Sequence, residues 1–97
     1  MIREIATLTV APEQASQFEG AVTDARRLFL AAAGCHGMHL ERVIEVPGSY
    51  RLVVAWETVE HHTVTFRGSA AFQEWRALAG PFFTEPPTVV HTEVAVG

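Results

Sequence analysis

The sequence predicts an α+β fold of order βαββαβ, a four-stranded antiparallel sheet with helices on one face. Three observations predict it. Residues 2–11, 35–46, 50–57 and 86–96 alternate in polarity or are rich in β-branched residues, as strands are. Residues 12–33 carry apolar side chains at three- and four-residue steps, the period of a helix with one buried face. Pro47-Gly48-Ser49 sets a tight turn between the two middle strands, which makes them an antiparallel hairpin.

"IREIATLTVA" at 2–11 is the first strand. Pro12 suits the first turn of a helix, where its missing N–H is not needed, and Glu13 is favourable against the helix dipole. Phe18, Val22, Ala25, Phe29 and Ala32 form the apolar stripe of a helix over 12–33, which Gly34 ends. "CHGMHLERVIEV" at 35–46 is the second strand, with Met38, Leu40, Ile44 and Val46 on one face, and "YRLVVAWE" at 50–57 is the third. Thr58 can cap a short helix over 59–66, and Ser69 another over 70–79, whose Phe72, Trp75, Leu78 and Ala79 share a face. Gly80-Pro81 stops it, and "PPTVVHTEVAV" at 86–96 closes the chain as a fourth strand. This is the ferredoxin-like order, in one domain over residues 1–97.

Both parities of the strands are apolar. Val53 and Ala55 alternate with Leu52, Val54 and Trp56, while Val89 and Ala95 accompany Val90, Val94 and Val96. A sheet apolar on both sides requires a second layer, and the expected one is a second copy of the chain packed sheet to sheet. A core of 97 residues is thin, so such a homodimer also adds burial that one copy lacks.

The net charge of −4 and pI near 5.6 exclude a nucleic-acid platform, which needs a basic face. "YRLVVAWE" also lacks the basic, glycine and paired aromatic pattern of an RNA-binding strand. The N-terminus has no long apolar run, so no signal peptide is expected, and no segment approaches the ~18 apolar residues of a membrane span. The expectation is a cytoplasmic protein that contacts neither membrane nor nucleic acid.

Five histidines and one cysteine raise the possibility of a metal centre, but their spacing opposes it. His36 and His39 are three apart on a strand and face opposite ways, and adjacent His61 and His62 cannot readily chelate from a helix. His91 stands alone, and Cys35 is read as a small, half-buried residue whose strand neighbour His36 faces away. No metal ligands are assigned. Neighbours on a helix point about 100° apart, so only one of His61 and His62 can face a cavity.

The segment Trp56-Glu57-Thr58-Val59-Glu60-His61-His62, followed by "FRGSAAFQEW" at 66–75, resembles the antibiotic biosynthesis monooxygenase family. Members typically read W-E-S-x-E-x-H, then after a short gap S-x-x-F, in a dimeric α+β barrel of this element order. The oxygenases among them convert polyphenolic, anthrone-like substrates to quinones without metal or flavin. An electron-rich phenolate or enolate can itself reduce dioxygen. The protein must bind a flat ring, favour its deprotonated form and stabilise negative charge on oxygen. The resemblance therefore implies a cofactor-independent site in which His62 is the base, Arg76 the cation, Trp56 a catalytic wall, and Phe66, Phe72 and Trp75 substrate-binding walls. His62 is chosen over His61 because it matches the common family histidine. The family's haem-degrading branch departs from this chain: its iron-ligating histidine falls at Arg76, and a guanidinium is a poor ligand for iron.

Two functions follow as expectations. One is a monooxygenase acting on an aromatic, quinol- or anthrone-like substrate. The other is a non-catalytic dimer of the same fold that fills its pocket with its own side chains or a small ligand.

Overall fold

A computed structural model describes residues 1–97. Its strands are β1 (Ile2–Thr9), β2 (Cys35–Arg42), β3 (Ser49–Trp56) and β4 (Thr88–Thr92). All pairings are antiparallel, in the order β2-β3-β1-β4. Helices α1 (Ala15–Leu30) and α2 (Ala70–Ala79) supply the second layer, so the fold is the ferredoxin-like α+β arrangement.

Parity decides what each strand residue meets. On β1, Glu4, Ala6 and Leu8 point to the helices and are buried, while Ile5, Thr7 and Thr9 lie on the open face and are half-buried. The register sets Glu4 opposite Val54 on one side and opposite His91 on the other. Glu4 thus occupies the centre of the sheet at a position where its neighbours Ala6 and Leu8 are apolar core.

Helix α1 buries Phe18, Val22, Ala25, Leu28 and Phe29, the stripe its period predicts. A short 3-10 turn over Pro12–Gln14 precedes it, and it stops at Leu30, three residues short of the expected end. Gly34 then turns the chain with φ +79, and a Cβ there would collide with the His61 ring. Ser69 caps α2 by accepting a hydrogen bond from the Phe72 N–H at 3.3 Å. Beyond Gly80 a 3-10 turn carries the chain to Phe82 instead of breaking at Pro81.

Two strands are shorter than expected. β2 ends at Arg42, and Ile44 and Val46 are exposed in the loop instead of extending an apolar face. That loop folds back through a Ser49 N–H to Val46 carbonyl hydrogen bond, with Gly48 at φ +86, and so cannot continue the ladder. β4 ends at Thr92, and Val94 and Val96 are exposed beyond it. Their alternation has no strand to pair with once β1 has run out at Ile2.

The segment expected as a short helix over 59–66 is a π-helical turn over His61–Phe66. Its Arg67 N–H reaches back five residues to the His62 carbonyl at 3.1 Å. The turn aims His62 and Phe66 inward together. No helix is long and apolar enough to cross a membrane.

Candidate functional site

The site grows from the misfit of Glu4 in the core. A buried carboxylate must be hydrogen-bonded, because nothing else replaces the water it has lost. Trp56 lies diagonally across from it on β3, within reach of a large side chain. The Trp56 indole N–H donates to Glu4 Oε1 at 3.0 Å, and His62 Nε2 lies 3.3 Å from the same oxygen. His62 is only 3% exposed, between the Trp56 ring stacked at 5.7 Å and the imidazole of His91. Its other nitrogen, Nδ1, is 2.8 Å from His91 Nε2. Glu4, His62 and His91 therefore form one row of polar contacts from the centre of the sheet to its β4 edge, hydrogen-bonded between the two rings and in close approach between His62 and Glu4.

Burial governs the protonation of this row. It pushes the Glu4 carboxyl above its ordinary value, against the opposing pull of the Trp56 hydrogen bond and the nearby Arg67 charge. It also pushes the His62 imidazole down to about 4, helped by the charges of Arg67 and His91. His62 is thus neutral at neutral pH, with one nitrogen a donor and the other an acceptor.

Glu4 and His62 open into a cavity of about 500 Å³ between the sheet and α2. Phe72, Trp75 and Arg76 from α2 and Arg67 line the same space, with Leu52 and Val89 on the sheet side. Arg76 lies with its guanidinium carbon 6.0 Å from the Phe72 ring centre. Neither Arg67 nor Arg76 forms an ion pair with a protein carboxylate. The cavity is therefore mostly apolar, with a carboxyl–imidazole pair on one wall and two guanidinium groups on another.

The sequence-predicted site residues divide into two groups. His62, Arg76, Phe72 and Trp75 meet at this cavity. Trp56 and Phe66, expected as its walls, do not line it. Trp56 is completely buried, and Phe66 packs against it and Phe29 at ring-centre distances of 5.4 and 4.9 Å. The reason is parity and depth: Trp56 shares the helix-facing side of β3, but the π-helical turn covers it. Its contribution to the site is the N–H that holds Glu4.

Two residues of the row were not assigned from sequence. Glu4 carries a usable signal, an acid at the core-facing parity of a strand otherwise filled by Ile2, Ala6 and Leu8. His91, read as solitary, stands beside His62 because β4 pairs with β1. His61 points elsewhere, its Nδ1 2.8 Å from the Thr58 hydroxyl. No three His, Cys, Asp or Glu side chains are placed to hold a metal ion. In the row itself, His62 turns a different nitrogen to each neighbour, so the donors do not converge on a point.

Comparison with known proteins agrees with this architecture. The family model described as antibiotic biosynthesis monooxygenase matches residues 1–78. The protein YczJ of Bacillus subtilis (strain 168) is 40% identical over 91 residues, covering 94% of this chain and 96% of its own. A Bordetella bronchiseptica crystal structure, provisionally named an antibiotic biosynthesis monooxygenase, superposes with a TM-score of 0.95 at 53% identity. The match covers 98% of this chain and 97% of that one. A Caulobacter crescentus CB15 structure with the same provisional name gives a TM-score of 0.82 at 23% identity, over 98% and 90% of the two chains. At that identity the likeness concerns the fold alone.

Proposed function

The chain belongs to the antibiotic biosynthesis monooxygenase family, and from that premise we propose a cofactor-independent monooxygenase acting on an electron-rich aromatic substrate of the quinol or anthrone type. The observation that carries the reading is the meeting of His62, Arg76, Phe72 and Trp75 at one cavity of about 500 Å³, a size suited to a polycyclic phenol.

The chemistry assigned to the site is the conversion of a ring CH₂ to a carbonyl by dioxygen. The carboxyl–imidazole pair of Glu4 and His62 accepts a proton from the substrate, leaving a delocalised carbanion or phenolate. That anion supplies the electrons to dioxygen. One oxygen atom ends in the new carbonyl, and the other leaves as water with the two hydrogens lost from carbon. Phe72 and Trp75 hold the flat ring, while Arg76, with Arg67 beside the same space, stabilises the developing negative charge. Trp56 serves from behind, through its hydrogen bond to Glu4.

The same reading assigns the whole chain to one domain that works as a homodimer joined sheet to sheet. Ile5, Val53, Ala55 and Val90 support it, since all four lie on the face of the sheet away from the helices.

Oxygen uptake with anthrones and hydroquinones tests the function, comparing wild type with His62→Ala and Arg76→Ala. The expected result is uptake by wild type and a loss on the order of 100-fold in each variant. Equal rates in all three would remove both residues from the mechanism. No uptake by wild type would assign the cavity to ligand binding without turnover.

A further inference from the structure

We propose that Glu4 is the proton-exchanging group of the cavity and that His62 and His91 connect it to solvent as a two-ring proton relay. This rests on the reading of the cavity as a site for proton-dependent oxidation, but its geometry stands separately.

The starting point is the occupancy of the ring nitrogens. His62 Nδ1 is hydrogen-bonded to His91 Nε2 at 2.8 Å, and its Nε2 approaches Glu4 Oε1 to 3.3 Å without a formed hydrogen bond. A proton taken on Nε2 would therefore stand against the Glu4 carboxyl, and one on Nδ1 would cost the bond to His91. Glu4 differs, because its two contacts, from Trp56 and His62, fall on the same oxygen, Oε1. No protein group bonds Oε2, and no buried side-chain oxygen or nitrogen is left without a partner, so Oε2 is the atom that opens toward the cavity. A substrate hydroxyl or acidic C–H in the cavity meets that oxygen first.

An occupied cavity would leave Glu4, 5% exposed, without direct contact with bulk water. The row through His62 supplies another path. His91 sits half-buried on the edge strand β4, directly opposite Glu4. With Glu4 ionised, His91 Nε2–H donates to His62 Nδ1, and His62 Nε2–H stands 3.3 Å from Glu4 Oε1. A proton arriving at His91 Nδ1 releases the proton on His91 Nε2 to His62 Nδ1. The proton on His62 Nε2 then passes to Glu4 Oε1. One proton has entered, both rings remain neutral, and the His62 proton has changed nitrogen. A substrate proton taken on Oε2 reaches the Oε1 side when the carboxyl turns about its Cγ–Cδ bond, exchanging its two oxygens, and the reverse sequence then returns it to solvent. The 2.8 Å ring-to-ring bond carries the first transfer, and the second requires the 3.3 Å approach of Nε2 to Oε1 to close to a hydrogen bond.

The charged surroundings are compatible with this cycle. Arg67 faces both Glu4 and His62, Arg76 lines the same cavity, and Cys35 is close enough to feel the Glu4 charge. As the pH falls, Glu4 takes its proton above its ordinary value of 4.5, whereas His62 stays neutral down to about 4. There is therefore a pH interval in which Glu4 changes state while His62 remains a neutral relay.

The test is nitrogen-15 NMR of the histidine rings in the intact protein between pH 4.5 and 9, for wild type and Glu4→Gln. The expected result in wild type is a change of His62 from the Nε2–H to the Nδ1–H form as Glu4 protonates. In Glu4→Gln the expected result is a single form throughout. One unchanging His62 tautomer in wild type would overturn the relay, whatever the turnover. A second arm measures oxygen uptake by His91→Ala with and without added imidazole. Loss on the order of tenfold, restored by imidazole, supports proton delivery at this position. A folded His91→Ala protein with wild-type uptake would overturn it. Absence of uptake in wild type counts against the oxidation itself, and the tautomer measurement still decides the relay.

Discussion

His62 Nδ1 and His91 Nε2 lie 2.8 Å apart although 29 residues separate them in the chain. Two imidazoles can share such a bond only if one nitrogen carries a proton and the other does not. A pair of charged rings would present two donors to each other. The contact therefore belongs to a neutral His62, which is also what its burial favours.

Stability is expected to fall as the pH drops from about 6.5 to about 4, the ordinary and folded values for His62. In that interval the unfolded chain binds the proton that the folded one refuses, so acid favours unfolding. Glu4 works in the opposite sense. Its folded value is raised, so its contribution is complete below 4.5 and is lost as the pH rises through the folded value. Glu19, held down to about 2 by Arg42 and Tyr50, adds an acid-side loss only below its ordinary 4.5. Urea unfolding of wild type and His62→Gln across pH 4–7 checks this. The wild-type slope should be steeper, by on the order of 2 kcal/mol over the interval. Parallel profiles would rule out His62 as its source.

Replacing Trp56 by Phe keeps a ring in the core but removes the N–H that Glu4 Oε1 accepts. The expected cost is about 1–3 kcal/mol, the usual penalty for leaving a buried polar group short of a partner. Since that hydrogen bond lowers the Glu4 pKa, its loss should raise the value further. Chemical denaturation and carbon-13 NMR of the Glu4 carboxyl measure the two effects. An unchanged carboxyl titration would mean that the indole does not hold Glu4 in solution.

Ser69→Ala should destabilise the protein by about 1 kcal/mol through loss of the α2 cap. The Ser69 hydroxyl also donates to the Phe66 carbonyl at 2.5 Å, joining α2 to the π-helical turn that carries His62. Faster amide exchange at Phe72 is the local signature, and no change there would show that the cap is dispensable.

Val90→Asp places a charge on the open face of the sheet opposite Ile5, at a position 53% exposed in the single chain. The fold should tolerate it, and a sheet-to-sheet dimer should not. Light scattering is expected to give a dimeric mass for wild type and a monomeric mass for the variant, with unchanged circular dichroism. A monomeric wild type would remove the proposed assembly.

Much of the fold is legible along the chain because local periodicities match their final surroundings. The stripe on α1, the Ser69 cap and the Pro47-Gly48 turn each act over a few residues, and each appears where the local chemistry demands it. The errors lie at the ends of β2 and β4. There, alternation continues beyond the point at which a partner strand exists, and unpaired apolar residues such as Ile44 and Val96 are left exposed. Periodicity describes what a segment can do; pairing limits how far it does so.

The site follows the same division. His62, Phe72, Trp75 and Arg76 could be selected from one continuous segment because helical geometry and family likeness act within it. Trp56, expected as a wall of the cavity, lies buried behind it, because its depth depends on the π-helical turn folding over it. Glu4 was visible as an acid in an apolar alternation, but a single strand carries no record of what will stand opposite. Glu4 and His91 become neighbours only because β1 occupies the centre of the sheet and pairs with β4. The sequence by itself determined the elements and the inventory of chemical groups. Tertiary structure alone decided that a carboxylate and two imidazoles share one row, because strand order and register are long-range choices set by burial of the whole core.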